Sequence, residues 1–280
     1  MKFQRRVFYI SLIILLLPFS SLFAANDSLP NDDDTCFTRN LLVSIDYGSN
    51  KTFLGRSASV NQVYLSPSLS YEAPSGFFVS VVAYRLISPK KRWDELDLNI
   101  GWDFFLFKKK LEASVGYSHF TYGKQSQQLS SVFNNNVEFI LRKGFGHLKS
   151  KLFLDYDFGN GSTDYSFTLD NSYPVIFENV FADDDELKIK PQVSLSAGTL
   201  NFYKIKLKNQ GDTSAQQNAS ATVDTRFNLT GIEFSFPLEY NIGRFTFEPA
   251  VHHNIPLNQP KRLKATAVTY FTMSIGFSII

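Results

Sequence analysis

Apolar and polar side chains alternate one for one through most of this chain. From Glu95 onward Leu96, Leu98, Ile100, Trp102, Phe104 and Leu106 are apolar, and Asp97, Asn99, Gly101 and Asp103 lie between them. Successive side chains of a strand point to opposite faces, so this period of two describes a ribbon with one greasy and one charged face. The same beat returns with Leu148, Leu152, Leu154, Tyr156 and Phe158 against Lys149, Lys151, Asp155 and Asp157. It returns again with Leu187, Ile189, Val193 and Leu195 against Lys188, Lys190, Gln192 and Ser194, and on the odd positions of residues 265–279. Only residues 77–87 carry apolar side chains on both faces. The pattern predicts strands over 40–49, 61–72, 76–88, 94–107, 110–122, 131–142, 147–158, 164–180, 186–207, 222–241, 243–256 and 264–280. Within 222–241 the apolar phase moves from odd positions (Val223, Phe227, Leu229) to even ones (Ile232, Phe234, Phe236). A one-residue slip would turn the strand inside out, so the sequence places a β-bulge at Gly231.

The connections alternate as well. Those after even strands are short: 73–75, 107–110, 143–146, 181–185 and 241–243. Those after odd strands are mostly longer, as at 50–60, 123–130, 208–221 and 256–264. This asymmetry fits an all-β fold, a transmembrane antiparallel up-and-down β-barrel of about twelve strands, with ten to fourteen compatible with the pattern. Its short turns and both termini would be periplasmic and its longer loops outside. A meander in lipid must close on itself, because an open edge leaves backbone groups unpaired in hydrocarbon. Pro67, Pro191, Pro237 and Pro249 fall inside these strands, where each removes a ladder hydrogen bond, so bulges or rim positions are expected there. The competing architecture, a secreted β-sandwich, would have to bury the apolar faces of 94–107 and 264–280 against each other.

The N-terminus supplies an address. Lys2, Arg5 and Arg6 precede an apolar run from Val7 to Leu17 that only Ser11 interrupts, and Ala24 and Ala25 follow. The run is shorter than the ~20 residues of a spanning helix, so residues 1–25 read as a cleavable export signal. Residues 26–40 form a short acidic leader and 41–280 the barrel. The chain carries 28 Phe and 13 Tyr, suited to strands and to bilayer interfaces. Its formal charge of +2 falls to −1 when those three N-terminal cations leave with the signal, which gives no reason to expect nucleic-acid binding. The single cysteine, Cys36, cannot close an internal disulfide.

Three stretches carry a likeness to known proteins: Val63-Tyr-Leu-Ser-Pro-Ser-Leu-Ser-Tyr71, Lys190-Pro-Gln-Val-Ser-Leu-Ser-Ala-Gly-Thr199 and Phe245-Thr-Phe-Glu-Pro-Ala-Val-His-His-Asn-Ile-Pro-Leu257. In their strand-proline pattern they resemble the outer-membrane β-barrel proteins of Bacteroidota. The resemblance spans the barrel and implies a fold and an outer-membrane location, not a reaction. Such barrels usually end on an aromatic residue, whereas this chain ends Phe277-Ser-Ile-Ile280.

Candidate chemistry is sparse. No zinc spacing, phosphate loop or nucleophile elbow occurs, so no catalytic residue, metal ligand or cofactor is assigned. Strand phase turns His119 and His253 outward near the outer rim, without a serine beside them on that face. The acidic runs Asp32–Asp34 and Asp183–Glu186 lack a calcium-loop pattern and read as solvated turns. The inward phase gives the lumen candidates Asp97, Asn99, Asp103, Glu112, Lys149, Lys151, Asp155, Asp157, Lys188, Lys190, Glu233, Glu239, Glu248 and His252, the last facing inward with Glu248. The leading expectation is a small passive channel or solute pore. A second is a non-conducting barrel that docks a partner through an extracellular hairpin at 164–221, and a third is an outer-membrane lipid-modifying enzyme. The expected partners are the outer-membrane bilayer, the barrel-assembly machinery during insertion, and a small solute or a protein.

Overall fold

The computed structural model describes residues 37–53, 56–57, 62–88, 91–124, 126, 132–201, 226–258 and 266–280. The export-signal assignment over 1–25, the acidic run Asp32–Asp34 and the whole of loop 208–221 therefore lie outside the described residues. In chain order the strands are β1 (Asn40–Gly48), the small pair β2 (Thr52–Phe53) and β3 (Arg56–Ser57), β4 (Val63–Glu72), β5 (Phe77–Ser88), β6 (Arg92–Leu106), β7 (Leu111–Tyr122) and β8 (Asn135–Phe145). They continue with β9 (Leu148–Gly159), β10 (Ser162–Ser172), β11 (Val175–Glu178), β12 (Asp185–Ile189), β13 (Gln192–Gly198), β14 (Asn228–Ile242), β15 (Phe245–Pro256) and β16 (Val268–Ser278).

Twelve of these segments are the staves of a closed antiparallel barrel: β1, then β4 to β10 in turn, then β13 to β16. The last stave returns to the first, with Ile45 opposite Ile275 and Tyr47 opposite Met273. Closure removes the sheet edge, which hydrocarbon would not tolerate. Burial is inverted relative to a soluble protein. Val43, Leu69, Val81, Leu98, Ile100, Val115, Leu154, Phe234 and Val251 stand exposed, while Asp97, Asp157, Asp164, Ser114, Ser166 and Asn254 are buried. A sandwich would hide the first set; here both 94–107 and the described part of the last strand, 266–280, keep their apolar faces outside. Exposed aromatics collect at both rims: Trp102, Phe107, Phe181 and Phe245 at the short-turn end, and Trp93, Tyr165 and Phe227 at the other. Aromatic girdles of this kind sit at headgroup level.

The ladder bends where the sequence is irregular. Against β13 the register of β14 slips at Thr230: Ser196 pairs with Gly231, and Ala197 with Leu229. A similar slip between β5 and β6 pairs Tyr84 with Glu95 and Arg85 with Trp93, leaving Asp94 as the extra residue. The prolines do not sit at rims. Pro67 falls where β4 and β5 lack pairing, and Pro237 and Pro249 flank one shared gap between β14 and β15. Pro191 separates β12 from β13. The tightest loop-end turn is Asn160-Gly161, both residues in the left-handed conformation that a two-residue hairpin demands.

One expectation is corrected. The hairpin grown from 164–180 and 186–207 does not project from the loop end in its described part. Its turn, 179–184, lies with the short turns, because β12 pairs alongside the end of β14 that leads into Gly243 (Asp185 opposite Ile242). The direction follows from counting: the eighth stave, like every even one, finishes at the short-turn end. Both arms also break, at Tyr173-Pro174 and Lys190-Pro191, so β11 and the turn stand beyond the wall with residues 175–184 exposed on both faces.

Residues 77–87 looked two-faced because aromatic side chains point inward there. Phe78 lies over Gly101 and Gly116, which oppose each other on β6 and β7. A Cβ on Gly101 would meet the Phe78 ring at 2.3 Å and the Val115 carbonyl at 2.4 Å, whereas one on Gly116 would stay 3.7 Å from Phe78. Gly101→Ala is therefore expected to destabilise the barrel by about 1–3 kcal/mol through overpacking. Gly116→Ala should shift it by no more than about 0.5 kcal/mol, the size of an ordinary unstrained substitution. Urea titration of the refolded protein in lipid vesicles compares the two.

Candidate functional site

Alternation places one polar row per stave inside the barrel, and the pairing register decides which rows meet. Near the loop end, Glu95 and Asp97 of β6 oppose Tyr122 and Phe120 of β7. Glu138 opposite Asp155 and Asn136 opposite Asp157 continue the same face across β8 and β9. These residues, with Lys51, Phe53, Ser118, Phe133 and Ser166, enclose a cavity of about 310 Å³. Asn136 donates to Asp157 at 2.9 Å and to Asp155 at 3.3 Å, bridging the two carboxyl groups. Lys51 enters from the first loop. Asn50 Oδ1 accepts from the backbone N–H of Lys51 and of Gln62, which pins both ends of that loop. The Lys51 ammonium then lies 3.8 Å from the centre of the Tyr84 ring and pairs with Glu95. Val132 and Phe133, from the loop between β7 and β8, are buried in the same mouth.

Towards the short-turn end the lumen is cross-linked by ion pairs. Arg142 donates to Glu112 at 2.9 Å and to Asp103 at 3.4 Å. Glu239 accepts from Lys190 at 2.6 Å, from Lys188 at 3.3 Å and from Asn241 at 2.8 Å. Lys188 also reaches Glu186, and Lys190 reaches Glu248. Lys149 and Lys151 share this level, opposite Ser172 and Asp170. Asn99 donates to Ser80 at 2.9 Å. Acidic groups thus line the loop-end cavity around Lys51, Arg92 pairs with Asp94 at the same end, and Arg142, Lys149, Lys151, Lys188 and Lys190 lie below them.

His252 points inward, and its carboxylate partner comes from the neighbouring stave. Its Nδ1 lies 3.2 Å from Glu233, and its Nε2 lies 2.9 Å from the Thr272 hydroxyl. Glu233 also accepts from Tyr270 at 2.8 Å and Asn254 at 3.0 Å, and the His252 and Tyr270 rings stack 4.6 Å apart. Glu248 lies four residues away on the same strand, roughly 13 Å along it, whereas Glu233 is a diagonal cross-strand neighbour. The carboxylate–imidazole–hydroxyl sequence has the order of a nucleophile relay. Thr272, however, is laddered to Gly48 on one side and Ala250 on the other, within a regular strand rather than a turn that would free backbone donors for an oxyanion. The outward histidines are also engaged: His119 lies 3.0 Å from Asn135 Oδ1, and His253 lies 2.8 Å from the Thr269 hydroxyl.

No family model matches the sequence, and no curated protein matches it. Solved structures share the barrel. The KdgM porin is 12% identical, with a TM-score of 0.48 over 85% of this chain and 99% of its own. The NanC porin is 10% identical, with a TM-score of 0.46 over 84% and 98%. LpxR from Salmonella typhimurium is 9% identical, with a TM-score of 0.42 over 84% and 99%. At these values the likeness adds nothing to what the strand pairing already shows.

Sequence phase did not single out Lys51, Glu95, Glu138 or Asn136. The last two were legible from the Val137/Phe139 alternation. Glu95 sits beside a bulge, and Lys51 lies on a loop, where a period of two says nothing.

The acidic run Asp183–Glu186 is a built turn. Asp185 is buried and accepts from the backbone N–H of Val180 at 2.6 Å, Phe181 at 2.9 Å and Ala182 at 3.0 Å, and from the Tyr240 hydroxyl at 2.8 Å. Removal from water alone would raise its pKa. The hydrogen bonds from Tyr240 and the three amides outweigh that and hold the carboxyl below the ordinary carboxylate range. A depressed folded-state pKa means that the turn gains its full support above the unfolded value of about 3.9 and loses it as pH falls through the depressed one. Asp185→Ala is therefore expected to speed amide exchange at Val180, Phe181 and Ala182 at pH 7. Acidification below pH 3 should reproduce the same loss of protection in the wild type, relative to Asp183-side amides that make no such bond.

Proposed function

We propose that this chain is an outer-membrane barrel that passes small solutes through a charged lumen. The observation that carries the reading is the inversion of polarity: all twelve staves turn apolar side chains outward, and polar side chains line the interior from the loop-end cavity to the ion pairs at the short-turn end. An exterior of this kind is stable in hydrocarbon, and an ionic interior requires water. In this reading residues 1–25 are the export signal, the barrel-assembly machinery inserts the mature chain, and both termini and the short turns face the periplasm. Asp97, Asn99, Asp103, Glu112, Lys149, Lys151, Asp155, Asp157, Lys188, Lys190, Glu233, Glu239, Glu248 and His252 are the proposed lining. The acidic end favours cations over anions, since field lines concentrate in a low-dielectric tube.

One observation favours docking at the short-turn end in place of the extracellular hairpin first expected. The strand β11 ends the sheet order, and it exposes Ile176 and Phe177 beside an unpaired flank among the described residues. Such an edge can accept a partner strand.

Single-channel recording of the refolded mature protein in a planar bilayer tests the first reading. Stepwise currents with a reversal potential on the cation side are expected, and the combined change Glu138→Gln with Asp155→Asn should move that potential towards zero. A barrel that folds, by its heat-modifiable gel mobility, yet carries no current overturns the channel and leaves the docking reading.

A further inference from the structure

We propose that the loop-end cavity is a binding site for a small organic cation bearing a primary ammonium or guanidinium group. The proposal rests on the reading of this interior as a solute path and names the class of solute. Among the described residues five carboxyl groups line the cavity, from Glu95, Asp97, Glu138, Asp155 and Asp157, against one ammonium, that of Lys51. Asp97 is the independent pointer. It is only 8% exposed, it lines the cavity, and its Oδ1 has no hydrogen-bond partner. A buried carboxylate oxygen left unmatched is costly, and a donor arriving with the ligand removes that cost.

Lys51 shows the chemistry the site accepts. Its ammonium already rests on the Tyr84 ring and pairs with Glu95, an arrangement in which an alkylammonium is held by one carboxylate and one aromatic face. Asp97 and Glu138, with Phe120, Tyr122 and Phe133, add further carboxyl groups and aromatic rings to the same cavity. The carboxylates surround a volume suited to a small organic molecule rather than converging on a point, and no group of His, Cys, Asp and Glu among the described residues is placed to hold a metal ion. Asn136 donates to both Asp155 and Asp157 and so fixes these two groups on one side of the cavity.

The test is isothermal calorimetry on the refolded full-length mature chain in detergent. L-arginine and putrescine are the probes, and L-glutamate is the charge-reversed control. Saturable one-to-one binding of arginine or putrescine is expected, with none for glutamate. Replacing Asp97→Asn together with Glu138→Gln should weaken binding by about tenfold or more, the scale of losing a charge-assisted hydrogen bond. Lys51→Met, which vacates Glu95 and Tyr84, should instead tighten it. Opposite signs from the two changes separate a site from general damage to the barrel, and Lys51→Met alone decides the matter if the double variant does not fold. Absence of saturable binding, binding of glutamate, or affinity unmoved by either change overturns the proposal. Calorimetry needs no current. Binding without conductance would retain the site and refute the channel, and conductance without binding would do the reverse.

Discussion

A peptide group in hydrocarbon has nothing but another peptide group to bond to. Everything else in this molecule follows from that scarcity. The sheet has to close, so β16 returns to β1 and no stave keeps an open edge within the wall. Once closed, each stave has an inside and an outside set by the pleat. The outer row must be apolar, and the inner row is left to hold charge. The inverted burial, with carboxylates hidden and leucines exposed, is the same constraint seen from the side chains. β11 is the exception that marks the limit: its flank is unpaired only where the chain has already left the wall.

The alternation at Leu96 to Leu106 was enough to orient β6, and comparable runs oriented most staves, because a period of two is a local property that the barrel does not alter. Strand ends were less legible. The strand placed at 131–142 is Asn135–Phe145, since Val132 and Phe133 turn into the mouth rather than joining the ladder. Partner choice was least legible of all. Phase put His252 and Glu248 on one face, but the stagger of neighbouring staves gave His252 to Glu233 and Glu248 to Lys190. The direction of the 175–189 hairpin was present in the parity of the strand count, yet strand length pulled the expectation towards the wrong end. Lys51 could not be found by pattern at all, because its place depends on Asn50 bracketing a loop.

The lumen sorts its charges by depth. Below, Arg142 lies between Asp103 and Glu112, and Lys190 between Glu239 and Glu248. Above, carboxylates face one another with a single tethered ammonium among them. The two halves therefore differ in electrostatic character. The lower one is internally neutralised and cross-braced, while the upper one is open to exchange.

Pro237 and Pro249 share one interruption of the seam between β14 and β15. A barrel resists ovalisation through hoop tension carried by its cross-strand bonds, much as a cask is held by its bands. Two prolines on separate seams would loosen the cask in two places. Placed at one interruption, they loosen one seam rather than two, and the next proline-linked gap in the described wall lies at Pro67, between β4 and β5.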